Sequence, residues 1–364
     1  MLRKLLVSIS APILLLSACA TAPKPLDIVD PKTNFGKQAS NQQFTEVLNP
    51  VPLVISDKPR DYSLFTLQMN KVKEKSPNLV KRQNGLYQQV ENWAEQNGDP
   101  ASLNLFGIKA AQMGGADGQG NVLFTGYYSP VMKIRHQADA VYKYPLYGMP
   151  KCQGRCPSRA QIYAGALANQ GLEIGYSKSL LNNFMLEVQG SGFVYFEDGG
   201  DKQYFAYAGK NGHGYTSIGK VLIERGEVAR EDMSLEAIKS WAEKQDEATL
   251  RELLEQNLSF VFFKANKELD VIGSAGIPLQ GGAAVAADRA YLPMGSVILA
   301  EVPQLDAKGV WTGHHVLKLL MVLDTGGAVK KNHLDLYHGL GVQAGRNAGY
   351  YKHFGRVWLL TTGE

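Results

Sequence analysis

Apolar positions at helical spacing mark two regions of the chain as helical. Between residues 61 and 97, Leu86, Val90 and Trp93 fall on one helical face, and Asn97-Gly98 is a typical stop signal. The second region is a pair of helices before Asn257, with apolar residues at Leu235, Ile238 and Trp241 and then at Leu250, Leu253 and Leu254. We therefore expect helices early in the chain and again after its midpoint.

Short apolar runs bounded by glycine and other turn residues predict strands elsewhere in the chain. In chain order these runs are 122–124, 192–196, 204–207, 260–263, 296–299, 316–323 and 356–360. Residues 130–230 are also rich in tyrosine and glycine. The whole pattern predicts an α/β first part, a tyrosine- and glycine-rich middle, and a last part that resembles a β-barrel.

Composition narrows the class of protein. The 364 residues are 45% hydrophobic and 20% charged, which argues against pervasive disorder, a coiled coil, a collagen-like repeat and a multispanning membrane protein. The 38 basic and 34 acidic residues leave a net charge of +4, too mild to indicate a nucleic-acid partner. The length fits one large domain or two smaller ones.

The N-terminus has the pattern of a secretory signal peptide over residues 1–18. Basic residues precede an apolar run over 5–16, which is too short for a stable membrane-spanning helix. Leu16-Ser17-Ala18-Cys19 matches a bacterial lipobox, so we expect Cys19 to be lipidated; the alternative is an ordinary signal with an incidental cysteine. Residues 19–45 would form a flexible tether. Ala20, in place of Asp, favours sorting to the outer membrane, facing the periplasm.

Lipidation of Cys19 would leave two further cysteines in an oxidising compartment. Cys152 and Cys156 flank a turn containing Gly154, and such near neighbours can form a disulfide. The alternative is a zinc site, but no second Cys/His pair has matching spacing. We therefore expect a disulfide between Cys152 and Cys156, and no metal site.

Three aspartates in the last part are candidates for chemistry. Asp288 precedes a turn at 291–295, Asp324 ends an apolar strand before Gly326-Gly327, and Asp335 follows shortly after. A carboxyl at a buried strand end has a poorly solvated charge, and a second carboxylate penalises ionisation further. Both effects raise a pKa, as a general acid at neutral pH requires. The alternative is that each aspartate caps a turn.

Other motifs in the chain are incomplete. Residues 214–220 copy most of a phosphate-binding loop, but Val221 stands in place of the required Ser or Thr. Residues 188–192 resemble a nucleophile elbow with Gln189 in place of glycine, so Ser191 is better assigned to a loop or to a substrate hydrogen bond. Asp324-Thr325-Gly326 resembles an aspartic protease loop, but no second copy occurs.

Aromatic residues recur on the glycine-rich segments, and 124–130 is the stronger candidate for a ligand site. Rings bordered by hydroxyls suit a sugar polymer, which has apolar faces and polar edges. Thr125 and Tyr128 lie in this segment, beside Gly126. For each of the remaining aromatics, a place in the core is the favoured interpretation; these are Tyr195, Tyr204, Tyr207 and Tyr215.

Several segments in order resemble the membrane-bound lytic murein transglycosylase A family, including its C-terminal three-aspartate (3D) domain. They are 124–128, 157–160, 188–192, 208–213, 259–263, 323–328 and 333–337. The resemblance covers roughly residues 60–361 and implies a mixed, mainly β fold. In it a double-psi β-barrel with flanking helices is built from residues 46–130 and 256–364. A smaller β domain is inserted at 131–255, and glycan lies in the groove between the two.

The resemblance also implies an activity, with no cofactor. Peptidoglycan would be cut between N-acetylmuramic acid and N-acetylglucosamine, with Asp335 as a single acid/base beside Asp324 and formation of a 1,6-anhydro ring. The expected glycan contacts are Thr125, Tyr128, Gln189, Ser191 and Asp288. The expected partners are glycan strands, the outer membrane through the lipid anchor, and a cell-wall synthesis or hydrolysis complex. Two alternatives remain open: a glycan-binding lipoprotein with a degenerate site, and a water-using glycosidase with two carboxylates.

The sequence departs from the family pattern at three places. Glu187 stands where Asp is expected before residues 188–192, and Lys331-Asn332 replace a Lys-Gly version of the loop before Asp335. Cys152 and Cys156 are not a family hallmark. These departures concern loop detail and groove contacts and leave the implied reaction unchanged.

Overall fold

The computed structural model of the protein describes residues 48–83, 85–115, 120–230, 232–266 and 269–363. The predicted signal peptide, Cys19 and the tether to residue 45 lie outside these ranges. Within the described ranges, no helix combines the length and apolarity needed to cross a bilayer.

Helices cluster at the start of the chain and in its middle, as the apolar spacing predicts. They are α1 Ser63–Lys75, α2 Pro77–Arg82, α3 Leu86–Glu95, α4 Arg159–Tyr163, α5 Leu180–Gln189, α6 Ile218–Glu224, α7 Leu235–Ala242, α8 Glu247–Glu255 and α9 Gly341–Tyr350. Side-chain oxygens of Ser158, Ser179, Ser217, Ser234 and Asp246 cap the first turns of α4 to α8. The predicted helical regions are confirmed, whereas α4, α5, α6 and α9 were not predicted.

The strands are more numerous than the sequence runs that predict them. They are β1 Leu48–Val51, β2 Ile108–Met113, β3 Val122–Ser129, β4 Val131–Ile134, β5 Tyr144–Tyr147, β6 Glu173–Ser177, β7 Gly192–Phe196, β8 Gln203–Lys210, β9 Val261–Asn266, β10 Ala284–Ala286, β11 Val297–Leu305, β12 Trp311–Asp324, β13 His333–Leu340, β14 Lys352–Gly355 and β15 Val357–Thr362. Each of the seven predicted runs overlaps one of these strands.

Nine strands form the main sheet, in the order β1-β2-β15-β11-β12-β10-β13-β3-β14. Among the described strands of this sheet, the parallel pairs are β10–β12 and β13–β3. The sheet curls strongly, since a Cβ at Gly355 on β14 would lie 2.0 Å from the Glu301 carbonyl oxygen on β11. Among the described residues β1 and β14 remain unpaired edges, so the ladders do not show the expected closed barrel. The mainly β class itself is confirmed.

Alternation along the strands gives the main sheet two different faces. Phe124, Val285 and Leu336 belong to a fully buried cluster made almost entirely by strands. Their strand neighbours Thr125 and Asp335 therefore point to the other face. On that face α1 to α3 and part of the middle region pack against strands β11, β12 and β15.

The middle region, expected to be a small β domain, contains two small sheets and the five helices α4 to α8. Its four-stranded sheet has the order β4-β7-β8-β9, and β9 lies beyond the expected boundary at residue 255. Arg159 and Glu187 form a buried ion pair at 2.6 Å, and Arg159 also donates to the Asn257 carbonyl. Cys152 and Cys156 form a disulfide in the loop before α4.

Candidate active site

Five residues on adjacent strands are aligned in register and define the centre of the site. In spatial order they are Asp324 on β12, Ala286 on β10, Asp335 on β13, Thr125 on β3 and Lys352 on β14; we call them the acid row. Residues paired in register point to the same face of a sheet. The two aspartates are two strands apart, so their Cα atoms are roughly 9–10 Å from each other. Between them Ala286 has only a methyl group, which leaves room above it.

The environment of Asp335 favours its protonated form. Burial raises its pKa to about 6, the hydrogen bond from Thr125 opposes that shift, and the charge of Asp324 adds to it. The Thr125 hydroxyl lies 2.7 Å from Asp335 Oδ1. A pKa of about 6 leaves roughly one such carboxyl in ten protonated at pH 7. Asp335 can therefore act as a general acid and, once deprotonated, as a base.

Asp324 is held by three donors at the end of β12. Its Oδ1 accepts hydrogen bonds from the backbone N–H groups of Ser274 and Thr325, both at 2.9 Å. Its Oδ2 accepts one from the Tyr127 hydroxyl at 3.0 Å. These contacts fix its orientation, while its charge acts on Asp335 across Ala286.

Two tyrosines form the next row on the same face. Tyr127 and Tyr337 follow Thr125 and Asp335 by two positions, and their ring centroids are 5.1 Å apart. Burial raises the pKa of Tyr127 well above its usual value, and the charges of Asp324 and Asp335 raise it further. Tyr127 therefore remains a neutral hydrogen-bond donor over the whole physiological pH range.

His333 is a site residue that sequence reasoning missed. Its Nε2 lies 2.8 Å from the Thr125 hydroxyl oxygen. Burial lowers its pKa, against the effect of a hydrogen bond to the backbone of Ala328. The available signal was its position two residues before Asp335, because residues at i and i+2 of a strand share a face. The same signal links Tyr127 to Thr125.

Asp288 lies beyond the end of β10 and holds the loop before β13. Its Oδ2 accepts a hydrogen bond from the Lys331 backbone N–H, and its Oδ1 accepts one from Ala290, both at 3.1 Å. Burial raises the pKa of Asp288, but these donors and the charges of Lys330 and Lys331 outweigh it, so the net shift is downward. The structure thus places Asp288 beside the acid row but not in it.

Gln189 and Tyr128 meet where the middle region joins the main sheet. Gln189 Oε1 accepts a hydrogen bond from the Tyr128 backbone N–H at 3.1 Å. The Tyr128 ring lies on the opposite face of β3 from Thr125 and packs on α9, where a Cβ at Gly345 would come within 2.8 Å of it. The structure therefore does not bring the Tyr128 ring to Asp335, and its expected glycan contact stays a prediction.

Ser191 reaches the site through Tyr204. The Ser191 side chain hydrogen-bonds to the Tyr204 hydroxyl, which also accepts the Ile272 backbone N–H at 3.3 Å. The charge of Asp324 contributes to the raised pKa of Tyr204, after burial as the main cause. Ser191 is thus hydrogen-bonded to a tyrosine whose pKa the charge of Asp324 helps to raise. In the part of the chain that the structure describes, no group of three or more His, Cys, Asp or Glu side chains is arranged to hold a metal ion.

The chain is similar to several known proteins over most of its length. Two family models match, the MltA specific insert domain over residues 123–264 and the 3D domain over residues 283–361. The membrane-bound lytic murein transglycosylase A of Vibrio cholerae is 57% identical over 99% of this chain and 95% of its own. That of Escherichia coli is 47% identical over 96% of this chain and 93% of its own. The crystal structure of E. coli MltA with bound chitohexaose matches with a TM-score of 0.85 and 47% identity, covering 91% of this chain and 99% of that one.

Proposed function

The chain belongs to the membrane-bound lytic murein transglycosylase A family and is a lytic murein transglycosylase, and we propose that Asp335 is its one acid/base catalyst. The observation that carries this proposal is the position of Asp335 in the acid row, two strands from Asp324 and with the Thr125 hydroxyl 2.7 Å from its Oδ1, where burial raises its pKa to about 6. The substrate bond is the β-1,4 bond between N-acetylmuramic acid and N-acetylglucosamine of peptidoglycan.

The reaction needs one proton donor that later becomes a proton acceptor. Protonated Asp335 donates to the glycosidic oxygen, and the C1–O bond breaks with its electron pair passing to that oxygen. The Asp335 carboxylate then takes the proton of the muramic 6-hydroxyl, whose oxygen bonds to C1 and closes the 1,6-anhydro ring. The proton count balances, and no water is consumed.

A second catalytic carboxylate is not required for this reaction. Glycosidases that use water need one carboxylate as acid and another as nucleophile or base. Here the nucleophile is the substrate's own hydroxyl. We assign Asp324 to raising the pKa of Asp335 through its charge, and to holding the loop that follows β12 through its hydrogen bond from the Thr325 N–H.

Glycan would cross the acid row in a groove between the main sheet and the middle region. The contact between the two parts supports this placement, since Phe193 and Tyr204 of the middle region share a buried cluster with Tyr337. Gln189, Ser191 and Thr125 lie near that junction and are the proposed glycan contacts, with Asp288 holding the neighbouring loop. We assign the curled main sheet to the double-psi barrel type.

We propose that the protein is anchored through lipidated Cys19 on the periplasmic side of the outer membrane, as the lipobox and Ala20 indicate. The name of the relatives, membrane-bound, supports an anchor. A tether over residues 19–45 would let the enzyme reach an insoluble substrate while it remains attached to the membrane. The anchored enzyme would act alone or within a cell-wall complex.

Replacement Asp335→Asn tests the proposed function, because asparagine keeps the shape of the side chain but cannot give up a proton at this pH. We expect release of anhydro-muropeptides from purified sacculi to fall by about 10²–10⁴-fold. Mass spectrometry of the products identifies the reaction, since an anhydro end is one water lighter than a reducing end.

The matched control is Asp57→Asn, at an aspartate whose side chain is 84% exposed. This variant should release product at the normal rate. Thermal unfolding and binding of chitohexaose would show that both variants are folded. Near-normal turnover by the Asp335→Asn variant would overturn the assignment, and reducing ends from the unmodified enzyme would favour the two-carboxylate hydrolase.

A further inference from the structure

We propose that the Thr125 hydroxyl switches between two hydrogen-bond acceptors during the reaction. It donates to His333 while Asp335 is protonated and to Asp335 once that carboxyl is deprotonated, and we call it the two-position hydroxyl. This inference rests on the proposed role of Asp335 as acid and base. It makes His333 a positioning residue, which acts on the reaction only through Thr125.

The geometry sets one hydroxyl between two groups. The Thr125 oxygen lies 2.7 Å from Asp335 Oδ1 and 2.8 Å from His333 Nε2. A hydroxyl has one proton to donate and lone pairs with which to accept. Thr125 can therefore donate to only one of these neighbours at a time, and it must accept from the other or leave that contact unmade.

The contacts of His333 decide which nitrogen of its ring carries the proton. Burial lowers the pKa of His333, so the ring is neutral near pH 7 and has a single N–H. Its hydrogen bond to the Ala328 backbone raises that pKa, which means that the ring is the donor there. Because Nε2 faces Thr125, the proton belongs on Nδ1, and Nε2 is an acceptor.

In the acid state the hydrogen bonds then run in one direction. Asp335 donates from Oδ1 to the Thr125 oxygen, and Thr125 donates to His333 Nε2. In this series of three side chains, every donor and acceptor has a partner only while Asp335 is protonated. His333 thus stabilises the form of Asp335 that the first step of the reaction needs.

In the base state the Thr125 hydroxyl turns. When substrate is bound, the glycosidic oxygen replaces the Thr125 oxygen as the acceptor of the Oδ1 proton and then takes that proton. The Asp335 carboxylate is now an acceptor only, and Thr125 donates to Oδ1 instead of to His333. When Asp335 later takes the 6-hydroxyl proton, Thr125 returns to His333. No proton leaves Thr125 or His333 at any point, so the overall balance of the reaction is unchanged.

The other ionisable groups near this pair are not themselves replaced in a His333 variant. They are Asp324 from β12, Tyr127 from β3, Tyr337 from β13, Lys352 from β14 and Asp288 from the segment after β10. A change in the pH profile of a His333 variant therefore reports the loss of the second partner of Thr125.

Two substitutions should move the pH profile in opposite directions. In His333→Leu, Thr125 donates permanently to Asp335 and stabilises its carboxylate. The alkaline limb of kcat/KM should move down by about one pH unit, with about tenfold less activity above it. In Thr125→Val the donor to the carboxylate is lost, so the alkaline limb should move up while kcat falls.

His333→Gln restores an acceptor and should return the profile most of the way to that of the unmodified enzyme. The control is His314→Leu, at an exposed histidine of β12, which should leave the profile unchanged. Chitohexaose binding and thermal unfolding would show that each variant is folded. An unaltered profile in His333→Leu would overturn the proposal.

The tautomer can be read without any activity measurement. Nitrogen-15 NMR of the unmodified protein should show His333 with a protonated Nδ1 and an unprotonated Nε2 near pH 7. The opposite tautomer would overturn the two-position hydroxyl while leaving the role of Asp335 intact. Conversely, near-normal turnover by Asp335→Asn would remove the acid/base assignment whatever the tautomer of His333.

Discussion

The carboxyl of Asp335 is placed where its charge is poorly solvated. Burial and the charge of Asp324 both favour protonation, and a single hydroxyl from Thr125 opposes them. A raised pKa means that the folded protein binds a proton more tightly than the unfolded chain does. The acid that catalysis needs therefore lowers the stability of the folded state at neutral and alkaline pH.

The sign of this linkage gives a prediction for stability. The folded-state pKa of Asp335, about 6, lies above its ordinary value of 3.8, so its contribution is fully present below pH 3.8 and is lost as the pH rises through 6. Asp335→Asn has no charge to desolvate and should be more stable than the unmodified protein at pH 8, by about 1–3 kcal/mol.

Urea unfolding of both proteins at pH 5 and pH 8 measures this effect. The advantage of the variant should be about half as large at pH 5 as at pH 8, because roughly half of the loss that begins near pH 3.8 has occurred by pH 5. An advantage independent of pH would show that burial does not raise the pKa of Asp335 to the extent stated here.

At the scale of strands, the acid row depends on five segments held in register. Ala286 matters because a larger side chain on β10 would fill the space between the two aspartates. We expect Ala286→Val to reduce turnover of sacculi by at least about tenfold, with a loss of about 1–3 kcal/mol of stability from overpacking. Ala286→Gly keeps the space open and should retain most activity. Equal activity in the two variants would show that substrate does not pass over Ala286.

At the scale of helices, the buried ion pair between Arg159 and Glu187 joins α4 to α5. The Arg159 guanidinium also lies 4.6 Å from the centre of the Phe184 ring and 5.0 Å from that of Phe260. Arg159→Leu would leave the Glu187 carboxylate buried without a positive charge beside it, and this should cost about 3–5 kcal/mol in the free energy of unfolding.

Urea denaturation measures that cost. The double variant Arg159→Leu with Glu187→Leu should recover much of it, because no buried charge then remains unpaired. If the free energy of unfolding of the Arg159→Leu variant lies within about 1 kcal/mol of that of the unmodified protein, this account of the pair is wrong, because a loss of at least about 3 kcal/mol is expected.

Two helices, α5 and α9, show why local sequence patterns did not predict every helix. In α5 the buried residues include Leu180, Leu181 and Phe184 to Glu187, so apolar positions surround the helix and no single face stands out. In α9 the glycines suggest a loop, yet Gly345 is required by the Tyr128 ring against it. Tertiary packing, rather than propensity, makes both segments helical.

At the scale of the whole molecule, the middle region and the main sheet share contacts. Phe193 donates its backbone N–H to the Pro130 carbonyl at 2.8 Å, and Tyr128 donates to Gln189 at 3.1 Å. Tyr204 adds a buried contact next to Tyr337. These contacts position the proposed glycan-binding residues of one part against the acid row of the other.

The anchor can be tested at the same scale. We expect Cys19→Ala to move the protein from the membrane fraction to the soluble periplasmic fraction, because a lipid chain supplies the attachment. Cell fractionation with immunodetection measures this. Activity on isolated sacculi should be unchanged, and continued membrane association of the variant would argue for another attachment.

The sequence by itself determined the strongly periodic helices, four of the nine main-sheet strands, the three aspartates and the family to which the chain belongs. These follow from local patterns or from motifs of several residues that are contiguous in the sequence. Thr125 and Tyr127 were already within a candidate segment, but the sequence did not show which of its residues contact the acids.

Only the tertiary structure decided the acid row and its chemistry. Thr125 and Asp335 are 210 positions apart in the chain, and Tyr127 and Asp324 are 197 apart. Their contacts arise from strand pairing between distant segments. The pKa of Asp335 depends on how much water those segments exclude and on how close they bring a second carboxylate, and neither quantity is encoded by the residues that adjoin it in sequence.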